Sequence, residues 1–437
     1  MNFNDYPYRG QYGFPDNWPV DWPYWENLIC YPCSTTSGTS LTYSGLIVPP
    51  DVRHVLGLVW GGGGSGAGSP GSQDGSSTGG GGGGFSAGII DCWPGMQLPD
   101  VVIGGPTNGT LGGAGTTGST SSIGNLLIST GGVGGVNAAT STSAVGPSGG
   151  GGTANLRIGF TSIGGYGGST SGLGATSRRA TGGGGPGWFW ASNTEDGKRN
   201  RGGDTTQNHA VACGTGGGGL GGRGGDSAQV LTSNQTTKGG GLGGNASDHN
   251  AATGNLIGSG GSLGGASNAH PTAGTGFFMP TGSSEFSGIT TNALISDMDR
   301  YEVMNTFRVL INMFAFGGNN RNMALKLREF YIGGFGEGTL NSAGSINHPT
   351  AGLGGGGAAF GGEQGVSANT ASVVNGAAAS FFGGGGGAAN VGSGACNGGA
   401  GGVAGGGGGA RNGSSGAACT GGKGGGGFAI LAWTRGY

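Results

Sequence analysis

The sequence predicts a mainly β protein, with short strands at both ends of a glycine-rich bundle or sandwich, polyglycine-II-type helices between them, and little α-helix. Three observations carry this reading. Glycine supplies 118 of 437 residues, roughly four times the usual share of about 7%. It is concentrated in ten runs, at 61–64, 79–84, 149–152, 182–185, 216–219, 239–241, 354–357, 383–387, 405–409 and 424–427. The stretches that flank the first and last runs are apolar and read as strands.

Ordering a glycine costs more backbone entropy than ordering any other residue. Such runs therefore either stay disordered or use their missing side chains to bring backbones into contact. Composition favours contact. The chain is 34% hydrophobic, with 17 Phe, 10 Tyr and 8 Trp, and only 9% charged; disordered chains are poor in aromatics and rich in charge. A glycine run can take the extended helix of the polyproline-II type, with three residues per turn and no internal hydrogen bonds. Its N–H and C=O groups must then find partners on neighbouring runs.

In chain order, residues 1–36 are dense in aromatics and in proline, at Pro7, Pro15, Pro19, Pro23 and Pro32. Proline at this density excludes a regular helix. An extended aromatic peptide suits docking into a groove on a partner, which makes Tyr6, Tyr8, Trp18, Trp22 and Trp25 candidate attachment residues. The chain thus divides into an attachment segment, 1–36, and a glycine-rich domain, 37–437. Residues 41–60 read as two strands around Pro49 and Pro50. A strand over 85–91, a turn at Trp93-Pro94-Gly95 and an apolar stretch at 100–105 follow, and 428–434 forms the last strand. A glycine-poor block, 285–332, stands apart inside the region 150–350. Met304, Phe307, Ile311 and Phe314 share one face at helical spacing, yet 308–316 also reads as a strand, paired through Gly317-Gly318-Asn319-Asn320.

Several function classes are disfavoured. A net charge of -2 gives no pull toward nucleic acid. No apolar stretch approaches the ~20 residues needed to span a bilayer, and the N-terminus has no secretory pattern. The histidines, His54, His209, His249, His270 and His348, are too scattered to hold a metal. Gly422-Lys423 is followed by glycine, not the Ser or Thr of a phosphate loop. Neither an enzyme nor a cofactor is expected. Of the six cysteines, Cys30 and Cys33 have the spacing of redox and zinc sites, but a second close pair is missing. Structural thiols are the simpler expectation, with a disulfide formed after release as the alternative.

Four blocks taken together carry a resemblance: IVPPDVRHVLGLVWGGGGSG, then GGGGGGFSAGIIDCWPGMQLPDVVIGG, then GGAGTTGSTSSIGNLLISTGGVGG, and finally GGKGGGGFAILAW. Their order resembles the glycine-rich domain of bacteriophage tail-fibre and other virion proteins, over residues 41–136 and about 352–434, with 150–350 as insertion. A looser similarity is to the tip adhesins of T-even-like long tail fibres. The resemblance implies a virion protein made in a host cytoplasm, most simply a tail-fibre or tail-tip adhesin that touches a bacterial surface glycan or outer-membrane protein. The alternative is a purely structural fibre, collar or capsid decoration. It further implies attachment to other virion proteins through the N-terminal segment, and a homo-oligomer, with a trimer expected. The candidate receptor contacts are aromatics placed in loops: Trp188, Phe189 and Trp190, with 182–187 as a flexible approach, then Phe277, Phe278, Phe381 and Phe382.

Overall fold

The computed structural model describes residues 27–71, 74–139, 143–171, 178–188, 200–205, 212–220, 222–227, 235–237, 239–240, 365–368, 373–379, 382–413 and 416–433. The regular elements among them are strands, with no helix.

The most apolar segments build the principal sheet. His54–Trp60 and Phe428–Trp433 are almost wholly buried, as unbroken apolar strands are when both faces of a sheet are covered. The order is Asn27–Pro32, Phe428–Trp433, His54–Trp60, Phe85–Asp91 and Gly159–Ser162, each antiparallel to its neighbour. The last strand of the domain is therefore central rather than peripheral.

Alternation along His54–Trp60 splits the core in two. Val55 and Val59 join Val101, Ile103, Ile123, Leu127 and Leu431 in an aliphatic cluster. A second five-stranded sheet supplies much of this cluster, in the order Gly152–Ala154, Leu127–Ser129, Ser121–Ile123, Val101–Ile103 and Leu41–Tyr43. Gly57 sits on the same face and sets how closely the sheets approach: a Cβ there would come within 2.8 Å of Leu127 Cδ1 and 3.0 Å of Ile123 Cδ1. On the opposite face Trp60 stands directly across from Phe428 and Phe85.

The remaining described chain is held by backbone hydrogen bonds between glycine-rich segments, and the stretch 78–84 shows the pattern. Its N–H groups at Thr78, Gly81 and Gly84 donate to Val136, Val133 and Thr130. Those at Gly80 and Gly83 donate to Gly407 and Ala404, and that at Gly82 to Gly165, all at 2.7–3.0 Å. Its carbonyls accept from Ala67, Gly64 and Gly61, from Gly184 and Gly187, and from Gly150. Six segments thus surround one, and bonds to a given neighbour recur every third residue. Three threonines repeat one buried device: the hydroxyls of Thr181, Thr215 and Thr237 donate to the carbonyls of Gly168, Gly203 and Gly225. The same hydroxyls accept the N–H groups of Gly79, Gly182 and Gly216.

Two expectations change. The strands around Pro49 and Pro50 form as Leu41–Tyr43 and His54–Trp60 but belong to different sheets. Prolines donate no N–H, and Asp51 adopts φ 65°, so the chain crosses between sheets there. The described part of the segment 1–36 does not stand apart from the domain: Asn27–Pro32 is an edge strand of the principal sheet, paired along its whole length with Phe428–Trp433. Proline is tolerated at such a position because an edge strand can leave one side unpaired. Residues 1–26 and the block 285–332 lie outside the described residues.

Candidate functional site: an outward row of three-residue repeats

Trp188 and Phe382 are not surface contacts; both are fully buried. Trp188 stacks on Trp60 at 5.4 Å and 11°, and the Phe382 ring lies 5.4 Å from Trp60. Phe85 and Phe428 complete the cluster. The cause is the run before Trp188. Residues 182–187 are no flexible approach, since Gly184 and Gly187 donate to Gly80 and Gly83, and the Gly187 carbonyl accepts from Trp60 Nε1 at 2.9 Å. That docking delivers Trp188 onto the aromatic face of the principal sheet. Phe189, Trp190, Phe277, Phe278 and Phe381 lie outside the described residues, as do Tyr6, Tyr8, Trp18, Trp22 and Trp25. The six cysteines, all described, form no disulfide. Burial raises the Cys33 thiol above its ordinary value.

Five of the large side chains that reach solvent, Leu111, Val133, Val136, Val145 and Tyr166, share one arrangement. Segments 111–120, 130–136, 145–151, 163–170, 200–205 and 222–227 lie side by side in that order. Gly118 donates to Gly132, Val133 to Ser148, Gly164 to Gly150, Gly202 to Tyr166, and Gly224 to Arg201. Along the first three segments the exposed residues recur three apart, with Thr116 also exposed in the first. The first exposes Leu111, Ala114, Thr117 and Thr120; the second exposes Thr130, Val133 and Val136, with the glycines between them buried. The third exposes Val145 and Ser148, and the fourth Tyr166. Leu111 is 66% and Val145 79% exposed, so this is a face rather than a seam.

The row ends in charge. Arg201-Gly-Gly-Asp204 and Arg223-Gly-Gly-Asp226 repeat the same spacing, with Arg201, Arg223 and Asp226 half-buried and Asp204 buried. Arg201 pairs with Asp204 at 2.6 Å and with Asp226 at 3.1 Å, and Arg223 pairs with Asp226. The Asp204 carboxyl also accepts the Ser169 N–H at 2.8 Å. Burial raises its pKa above the ordinary value, while Arg201 opposes the shift. These charges complete one another's coordination and so hold neighbouring segments together.

The row offers area and shape: small apolar and hydroxyl groups at regular intervals. Among the described residues no cluster of His, Cys, Asp or Glu could hold a metal ion, and no helix is long and apolar enough to cross a membrane. Sequence reading passed over these outward residues because each motif is short and glycine is everywhere. The signal that could have found them is the recurring pair separated by two glycines: Leu111 and Ala114, Val133 and Val136, Tyr166 and Ser169, Arg201 and Asp204, Arg223 and Asp226. The chain matches no protein-family model and no curated protein.

Proposed function

We propose that the chain is a bacteriophage virion protein of tail-fibre or tail-tip type, whose glycine-packed body is a rigid carrier for the outward row, the surface that meets a bacterial glycan or outer-membrane protein. The single observation behind this is the row itself. Five of its large side chains, Leu111, Val133, Val136, Val145 and Tyr166, are exposed on hydrogen-bonded neighbouring segments.

On this reading the glycine runs are polyglycine-II-type helices packed as a bundle. Three residues complete one turn of such a helix, so a side chain at every third position faces one way, and bonds to one neighbour recur with the same interval. Both features occur in the segments above. Residues 1–26 would join the protein to other virion components, and the chain would assemble as a homo-oligomer, a trimer in the first instance.

A second reading, a purely structural fibre, collar or capsid decoration, is favoured by one observation: Trp188 and Phe382, the described members of the aromatic set expected at a receptor, are core residues. One experiment separates the two. Particles carrying Val145→Asp together with Tyr166→Ala should assemble normally and keep a folded protein, yet adsorb to host cells at least tenfold less well. Unchanged adsorption would favour the structural reading. Absence of the protein from purified particles, read by mass spectrometry, would remove both.

A further inference from the structure

Cys396 and Cys419 are 23 positions apart in the chain and adjacent in space. The Thr420 N–H donates to the Cys396 carbonyl and the Gly398 N–H to the Thr420 carbonyl, both at 2.9 Å, with Asn397 and Thr420 in a parallel bridge. The Cys396 N–H donates to Cys419 Sγ at 3.1 Å. Both residues are fully buried in one cluster with Val374, Ala388 and Ala410.

We propose that Cys396 and Cys419 are a dithiol oxidation site that a small hydroperoxide converts into an intramolecular disulfide. The chemistry divides between the two sulfurs. Cys419 is shifted toward the thiolate, chiefly by the neighbouring Cys396 side chain; burial opposes the shift, while Ser69, the Cys396 N–H and the Arg411 guanidinium add to it. The Cys396 thiol is held protonated and donates to the Arg411 carbonyl at 3.1 Å. The thiolate is the nucleophile, so Cys419 attacks the O–O bond of hydrogen peroxide. An S–O bond forms, the O–O bond breaks, and hydroxide leaves, giving a sulfenic acid at Cys419. Cys396 sulfur then attacks that sulfur. The S–S bond forms, the S–O bond breaks, and the hydroxyl departs with the Cys396 proton as water. Overall two thiols and one hydrogen peroxide give one disulfide and two waters. Burial sets the substrate class: only an oxidant of about the size of water reaches these sulfurs through brief local opening. The bond would join strand Cys396–Asn397 to the segment that leads into the last strand of the principal sheet.

The test uses the full chain, treated with hydrogen peroxide, then unfolded and titrated for thiols. The count should fall by two, from the six of the reduced chain to four, and peptide mapping should recover one cross-linked species joining Cys396 to Cys419. In Cys396→Ala the sulfenic acid at Cys419 should form more slowly, because the Cys396 side chain no longer favours the thiolate, but with no resolving thiol it should persist and be trapped by a dimedone-type reagent that leaves the wild type unlabelled. The inference is overturned if all six thiols survive, if the link joins other cysteines, or if Cys419 accumulates as sulfinic acid in the wild type. The wild-type map stands even where the variant does not fold.

Discussion

At the scale of single residues the chain shows two opposite uses of glycine. Gly82 is a contact position: a Cβ built there would overlap the carbonyl of Gly185, which is backbone and has nowhere to go. Gly82→Val should therefore lower stability by about 3 kcal/mol or more, at the upper end of overpacking costs. Gly95 is a conformational position, with φ 78° and nothing within 4 Å of an added Cβ, so Gly95→Ala should cost only about 1 kcal/mol. Urea unfolding of the two variants measures the difference, and equal losses would contradict the packing account. Trp188 is tested in the same way. Because it is stacked on Trp60 in a closed cluster, Trp188→Ala should cost about 4 kcal/mol, as large aromatic truncations in cores do. A surface residue would lose a few tenths.

At the scale of elements the edge strand Asn27–Pro32 decides what can be removed. It covers one side of Phe428–Trp433 and brings Tyr31 into the aliphatic core. A chain beginning at Asn27 should unfold within a few degrees of the full chain, whereas one beginning at Leu41 uncovers a long apolar strand and should aggregate. Soluble, cooperative unfolding of the shorter chain would show that the strand is dispensable. The same strand carries a pH dependence. Burial, with Cys30 and Tyr43 adding to it, raises the Tyr31 phenol from 10.0 to about 12. A folded-state pKa above the unfolded value means that this stability is present in full below pH 10 and is lost as pH climbs from there toward about 12. Over that window wild type should weaken more steeply than Tyr31→Phe, as thermal unfolding at pH 9 and pH 11.5 would report.

At the scale of the molecule the hydrogen-bonded segments 61–84 and 383–427 should behave as one body with the sheets. In the described parts of these segments the glycine runs are buried and most of their N–H groups are internally bonded, so hydrogen exchange in those runs should be slowed as strongly as in His54–Trp60. Exchange at the free-peptide rate would refute the packed arrangement. The x-Gly-Gly-x residues belong to this scale as well. Leu111, Val133, Val136 and Tyr166 are ordinary surface residues alone, and only the side-by-side order of the segments makes them a face.

Periodicity and composition were sufficient for the parts whose cause is local. Unbroken apolar runs made His54–Trp60, Phe85–Asp91 and Phe428–Trp433 readable as strands, and the Pro-Gly step made the turn after Trp93 readable, where Met96 N–H meets the Trp93 carbonyl at 3.0 Å. That glycine would be packed rather than loose followed from the aromatic content, because that much apolar surface has to be buried. Whatever depended on partners distant in sequence was settled by the fold. Asn27–Pro32 looked like part of a proline-rich arm, since its local signal is weak and its stability comes from Phe428–Trp433, some four hundred residues away. Trp188 looked exposed because glycine precedes it, whereas the bonds from Gly184 and Gly187 to Gly80 and Gly83 aim it at Trp60. Glycine has no side chain to mark inside from outside, so its sequence names the material of the body, while backbone pairing across the whole chain decides which residues face out.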